Sequence, residues 1–417
     1  MVSSVVEDVG RRPSLAPFVL AVAFGSTAYI ASFTAGALAA REITGSAQLS
    51  GLPSALGTIG TAIAIAVLSG AMGRWGRRAG LIAGLASGVA GATVTVIGVA
   101  AASFPLLLAG SLAVGFGNAA LQLSRYAASD LVAPERRAGA VGIVVWGSTV
   151  GAVLGPNLLQ PAAAVAEWLG RGSLEGAMAA TVLLFGLALL VVLVAVPGRR
   201  PAVERAAPRS VVDGPHTPGR LSLLAPIRVR IALIGMTSGQ IVMVLIMTMT
   251  PVHVHDTGHS LATVGFVISA HTLGMYALSP LSARLVDRLG AIPVMFGGFG
   301  LLLVAAVLAA IARDTEIPVL TLGLFLLGYG WNLGFVAGSS LLAVGADLAQ
   351  RIRLQGLTDV VVWTASAVAG VSSGLLLDIA GYAALSLVAG ALLAIPALAI
   401  AAGRASLRTE TAAETAA

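Results

Sequence analysis

Apolar runs of roughly 20 residues, parted by short polar stretches, recur along the whole chain; this is the length a helix needs to cross a bilayer core about 30 Å thick at about 1.5 Å per residue. The pattern predicts twelve spans, near 15–40, 50–72, 79–102, 104–131, 138–160, 174–197, 229–252, 261–283, 292–312, 318–346, 357–378 and 383–402. Within them glycine recurs at four-residue spacing, as at Gly147, Gly151 and Gly155. Such spacing suits helices whose backbones approach closely in lipid, where packing holds spans together more than hydrophobic drive does. The expected fold class is an all-α membrane protein.

Composition agrees with the pattern. Of 417 residues 57% are apolar and 10% charged, and the mean hydropathy is +0.96, too apolar for a water-facing surface. The formal charge of +6 sits in short clusters between apolar runs, with no aromatic-interleaved basic face, so nucleic acid is not an expected partner. All 24 basic residues are arginine and there is no cysteine, which excludes disulfides and thiolate chemistry. No signal peptide or lipid site is expected at the ends, so the spans themselves are the anchor in the lipid bilayer.

Arginine also sets an orientation. With the N-terminus inside, only Arg41, Arg171 and Arg313 fall outside, against 21 in inner loops, tails and helix ends. This predicts a multi-pass protein of the cell inner (cytoplasmic) membrane with both termini cytoplasmic. The Pro- and Arg-rich stretch 198–227 reads as a cytoplasmic linker between an N-terminal six-helix half, 1–197, and a C-terminal half, 228–403, followed by a cytoplasmic tail, 404–417. The halves resemble each other. Arg74 after span 2 returns as Arg288 after span 8, 214 residues later; Gly115-Phe-Gly117 returns as Gly328-Tyr-Gly330 at an offset of 213; Val144-Val-Trp146 returns as Val361-Val-Trp363 at 217. Internal duplication is a common construction of secondary transporters.

On these residues the chain resembles the major facilitator superfamily over its whole length. The family's loop motif after spans 2 and 8 is matched by Arg74, Gly76, Arg77 and Arg78, and by Asp287, Arg288 and Gly290. Gly73 replaces the first acid and Ala291-Ile292 the second basic pair. The resemblance implies twelve helices in two six-helix pseudo-repeats and secondary transport by alternating access. Gly142, Gly151, Gly155 and Pro156 follow part of the span-5 motif of drug exporters, without its closing glycines. Gly115-Phe-Gly117-Asn fits a loose dinucleotide fingerprint, but inside an apolar span it reads as helix packing.

Chemistry concentrates between Met236 and Met275, which hold five of the nine methionines and four of the five histidines. Met243 and Met247 lie one turn apart on span 7, as do His271 and Met275 on span 8. With Met236 and Met249, they form a ladder from the outer face to just past the midplane, ahead of which His253, His255 and His259 are expected in the outer loop. Thioether with imidazole suits copper, above all Cu(I), and poorly suits oxygen-seeking cations. Methionines in spans also pack, and a mid-membrane histidine can be a ligand, a proton relay or a satisfied core residue.

This order of Met-x-x-x-Met and His-x-x-x-Met is similar to that of the CcoA-type copper importers, a branch of the superfamily. The resemblance implies copper import into the cytoplasm, with Met243, Met247, His271 and Met275 as the metal path and a cytoplasmic copper chaperone as a possible recipient. Copper is then the substrate, and no cofactor is required. The best-known members also use cysteines, which this chain lacks. Relatives in the wider group carry other substrates, including riboflavin.

Other polar positions are candidates for gating or coupling: Arg125 and Asp130 towards the inner end of span 4, Asp287 and Arg288 after span 8, and Asp359 near the inner end of span 11. Asn118, Gln122, Gln240, Trp331 and Asn332 are candidates to line a cavity. Three functions therefore compete: copper import, proton-coupled export of apolar organic compounds, and uptake of a small organic nutrient such as a flavin. No nucleophile, paired acids or phosphate loop points to an enzyme.

Overall fold

The computed structural model describes residues 14–129, 131–132, 137–196, 224–313, 316–343 and 348–403. The termini, the 198–223 part of the expected linker, the 404–417 tail and Asp130 lie outside the described residues. The helices are α1 (Ala16–Thr44), α2 (Leu52–Trp75), α3 (Arg77–Ala100), α4 (Phe104–Ser129), α5 (Arg137–Asn157), α6 (Leu159–Trp168), α7 (Ser173–Ala195), α8 (Ile227–Asp256), α9 (Leu261–Tyr276), α10 (Ser279–Leu289), α11 (Ala291–Ile311), α12 (Ile317–Ala343) and α13 (Leu348–Ala391).

Among the described residues, ten helical stretches are long and apolar enough to cross a membrane. One of them, Leu357–Gly403, runs for 47 residues, too long for a single crossing. Gly381 interrupts it with φ 77° and ψ 172°, a conformation only glycine adopts without strain, and so divides it into two spans. With α5, which packs on α1, the stretches make twelve. The glycine ladder of α5 is what permits that packing: a Cβ on Gly151 would lie 2.5 Å from the Thr27 nitrogen, and one on Gly147 2.8 Å from the Val19 oxygen.

Each half has its own apolar core. One cluster runs from Phe18 through Phe185 to Val196, and another from Ile231 through Leu324 to Ile400. The duplication read in the sequence reappears as repeated geometry. Gly76 closes α2 with φ 90° and ψ 161°, and Gly290 closes α10 with φ 85° and ψ 161°. A Cβ on Gly115 would run into the Gly57 carbonyl and lie 2.6 Å from the Thr61 nitrogen. One on Gly328 would run into the His271 carbonyl and lie 2.9 Å from the Met275 nitrogen. Thus α4 crosses α2 as α12 crosses α9, and His271 and Met275 occupy the places of Gly57 and Thr61. The loose dinucleotide fingerprint at Gly115 is this crossing.

Two sequence expectations are corrected. Span 8 is not one helix: α9 ends at Tyr276 and α10 begins at Ser279. Pro280 has no N–H to give the Tyr276 carbonyl, so the helix breaks, and the Ser279 hydroxyl donates to that carbonyl at 2.9 Å. Conversely, Pro251 does not end span 7, since α8 continues to Asp256. His253 and His255 therefore stand on the last helical turn rather than in a loop, and only His259 lies in the connection to α9.

Candidate functional site

The site lies beside the seam between the halves, where α9 packs on α5, α13 on α2 and α8 on α1, with α12 against α8 and α9. Gln240, buried on α8, donates from Nε2 to the Ser366 hydroxyl of α13 at 2.7 Å, and its Oε1 accepts from the Trp331 indole of α12 at 2.7 Å. An amide with both ends engaged is fixed in orientation. Trp331 is thereby held stacked on Phe335, ring centroids 4.9 Å apart and planes 23° apart, with Tyr276 edge-on at 6.4 Å and 75°. All three rings are only partly buried. Tyr276 is in electrostatic reach of Tyr29 on α1, so this aromatic wedge borders the first half. On the first-half side of the seam, Tyr29 stands near the hydroxyls of Thr58 and Thr61, and Thr61 accepts from Asn118 Nδ2 at 3.2 Å.

The candidate cavity residues divide by burial. Trp331 and Gln122 are half-buried, while Asn118, Gln240 and Asn332 are buried and serve as ties between helices. Asn332 donates to the Met275 carbonyl at 2.7 Å and to the Ser279 hydroxyl at 2.9 Å, and accepts from the Ser282 hydroxyl. It clasps both sides of the break in span 8.

His271 is fully buried between α9 and α12. Its Nδ1 is 2.9 Å from the Leu324 carbonyl, which only accepts, so the proton sits on Nδ1 and Nε2 carries the lone pair. That Nε2 is buried without a hydrogen-bond partner. Met243, Met249 and Met275 are buried in the apolar core of the second half, with Met247 packed against it, and Met236 fills the space beside Gly338 of α12. The outer histidines have separate surroundings: His253 stacks on Tyr382 at 4.2 Å, His255 is exposed, and His259 Nδ1 lies 3.4 Å from the Thr257 hydroxyl. No group of three histidine or acidic residues arranged for a metal ion occurs among the described residues.

At the end that the arginine distribution assigns to the outside, the halves are in close contact. Arg41 Nε of α1 pairs with Asp256 of α8 at 3.1 Å. Asn157 of α5 donates to the Ser269 hydroxyl of α9 at 2.6 Å, and that hydroxyl donates to the Val153 carbonyl at 3.0 Å. Backbones meet at glycines: a Cβ on Gly265 would lie 2.5 Å from the Pro156 oxygen, and one on Gly51 or Gly374 would run into the carbonyls of Gly370 or Gln48. At the opposite end, Arg125 of α4 and Asp359 of α13 act on each other electrostatically. Asp287 and Arg288 are exposed at the end of α10.

The family model of the Major Facilitator Superfamily matches residues 17–255 and again 231–415. The chain belongs to this superfamily. An uncharacterised MFS-type transporter of Bacillus subtilis strain 168, YdeG, is 36% identical over 394 residues, covering 93% of this chain and 92% of that one. The riboflavin transporter RfnT of Brucella anthropi is 27% identical over 380 residues, 90% of this chain and 92% of its own. Among solved structures, the D-xylose–proton symporter matches with a TM-score of 0.72 at 16% identity over 94% of this chain and 96% of its own. The nucleoside transporter NupG matches with 0.70 at 16% identity over 94% and 99%. At these identities the structures share the fold. The chain is thus a multi-pass membrane transporter of this superfamily, built to move a small substrate across the bilayer.

Tyr276, Tyr29, Thr61, Phe335 and Ser366 had no place among the candidates read from sequence. Trp331 and Phe335 could have been paired by their four-residue spacing on one helix. Ser366 and Thr61 meet their partners on other helices of their own half, and Tyr29 and Tyr276 come together across the seam; no local pattern announces either.

Proposed function

We propose that this transporter takes up a small, planar, aromatic nutrient of the flavin class into the cytoplasm, by alternating access across the inner membrane. One observation carries the reading: the half-open wedge of Tyr276, Trp331 and Phe335 on the seam, locked by Gln240. Flat π-faces held in fixed rotamers offer a planar ring a large contact at little ordering cost. The full-length likeness to a protein named as a riboflavin transporter supports it. In this reading the closed outer seam belongs to the state open to the cytoplasm, with both termini on that side.

Riboflavin binding by the purified protein, followed by flavin fluorescence, tests the proposal. Trp331→Ala should weaken binding about tenfold to a hundredfold, the loss of roughly 1.5–3 kcal/mol of aromatic contact. Equal affinity in wild type and variant would sink it.

A second reading is copper import through Met243, Met247, His271 and Met275. The observation in its favour is the unpartnered Nε2 of His271, since a ligand imidazole is commonly oriented by just such an Nδ1–H to carbonyl bond. In that case the outer histidines collect the ion and a cytoplasmic carrier receives it. Radiocopper uptake distinguishes the two: loss on His271→Ala with no effect of Trp331→Ala supports copper, and the reverse pattern in riboflavin uptake supports the flavin.

A further inference from the structure

A recess in the first half, outward of the aromatic wedge, has no part in the site described so far. It lies between α1, α2 and α4, lined by Tyr29, Ser32, Phe33, Ser54, Ser111 and Val114 among others, and holds about 10 Å³ of free space, room for one water-sized group. Four of these side chains carry hydroxyls, and no charged residue lines it. Ser54 is 5% exposed and its Oγ is buried without a hydrogen-bond partner. The Ser111 hydroxyl donates to the Leu107 carbonyl at 2.8 Å, which leaves its lone pairs free to accept. Tyr29 is shared: it edges the recess and is the residue that reaches Tyr276.

We infer that this recess is a hydroxyl-binding subsite, taking a hydroxyl of a neutral, polyhydroxylated substituent on the transported molecule. A hydroxyl both donates and accepts, so it can satisfy Ser54 Oγ and donate to Ser111 in one position. A carboxylate or ammonium would be buried there with no counter-charge, which disfavours ionic groups. The inference rests on the flavin-class reading for the ring and adds the chemistry of the tail: the ring lies against the second half, and the polyol reaches the first. Such a substrate would bridge the halves, as one that drives their relative movement must.

The chain has no cysteine, so a single thiol placed at the recess reports on it alone. Ser54→Cys and, as a second variant, Ser111→Cys are labelled in the full-length protein with a small methanethiosulfonate reagent. Labelling is measured alone and with riboflavin, with lumiflavin, which has the same ring but no hydroxyls, and with free ribitol. Riboflavin or ribitol should slow labelling about tenfold at a concentration ~10 times its Kd, while lumiflavin leaves it unchanged. Protection by lumiflavin equal to that by riboflavin would overturn the inference, because the ring and not the hydroxyl would then fill the recess. So would the absence of protection by riboflavin and ribitol alike, or failure of both thiols to label without ligand. Flavin fluorescence is read in parallel on the wild type. Protection by ribitol with no binding of either flavin keeps the subsite and removes the flavin reading.

Discussion

A helix crossing this close leaves no room for a methyl group. At Gly328 a Cβ would run into the His271 carbonyl, whereas at Gly334, two turns on, it would meet nothing within 4 Å. Both are helical glycines, so alanine gains about 0.5–1 kcal/mol of backbone entropy at each. Only at Gly328 does it also force two backbones apart, at a cost of about 1–3 kcal/mol or more. Thermal unfolding in detergent should therefore show Gly328→Ala destabilised and Gly334→Ala equal to or above wild type. The same crossing bears on His271. Its depth could be estimated from the sequence by counting rise per residue, but the Leu324 carbonyl that orients it is 53 residues away in the chain. No spacing rule reaches that far.

The break in span 8 belongs to the element scale. In the first half Asn118 ties an unbroken α2 through Thr61, whereas Asn332 holds α9 and α10 through the Met275 carbonyl, Ser279 and Ser282. Removing Asn332 leaves a buried carbonyl unsatisfied at a cost of about 1–3 kcal/mol, against about 1 kcal/mol for one hydroxyl bond at Asn118. Asn332→Ala should lower the unfolding midpoint more than Asn118→Ala does; equal shifts would mean that the break needs no clasp. Spans were readable here because lipid demands long apolar runs, so most ends fall within a few residues of the expected ones. Pro251 and Pro280 misled in opposite directions. A proline within a span ends the helix or not according to who satisfies the freed carbonyl, and its neighbours in sequence do not decide that. The aromatic wedge was visible in the sequence at Trp331, with Phe335 readable from its spacing on the same helix, whereas Tyr276 reaches it from another helix.

For the whole molecule, the ion pair between Arg41 and Asp256 is the charged link across the outer seam among the described residues. With side chains 32% and 38% exposed, it contributes about 0–1 kcal/mol. That is small for folding but comparable to a shift of up to about fivefold in an equilibrium between two conformations. Arg41→Ala should leave the unfolding midpoint unchanged while raising the population open to the outside. Fluorescent labels on Gln48→Cys and Ser260→Cys report the separation of the two outer ends. The exchange of both charges, Arg41→Asp with Asp256→Arg, should restore the wild-type distance distribution, and failure to do so would deny the pair its role as a latch.

The glycines of that seam have a thermal consequence. Where Gly51 meets Gly370, Gly374 meets Gln48 and Gly265 meets Pro156, parting the halves wets peptide groups rather than hydrocarbon. Hydrating polar surface lowers heat capacity where apolar surface raises it, so these peptide groups offset part of the apolar contribution on opening. The enthalpy of opening should then change little with temperature, so the logarithm of the outward-to-inward ratio should fall close to a straight line against reciprocal temperature.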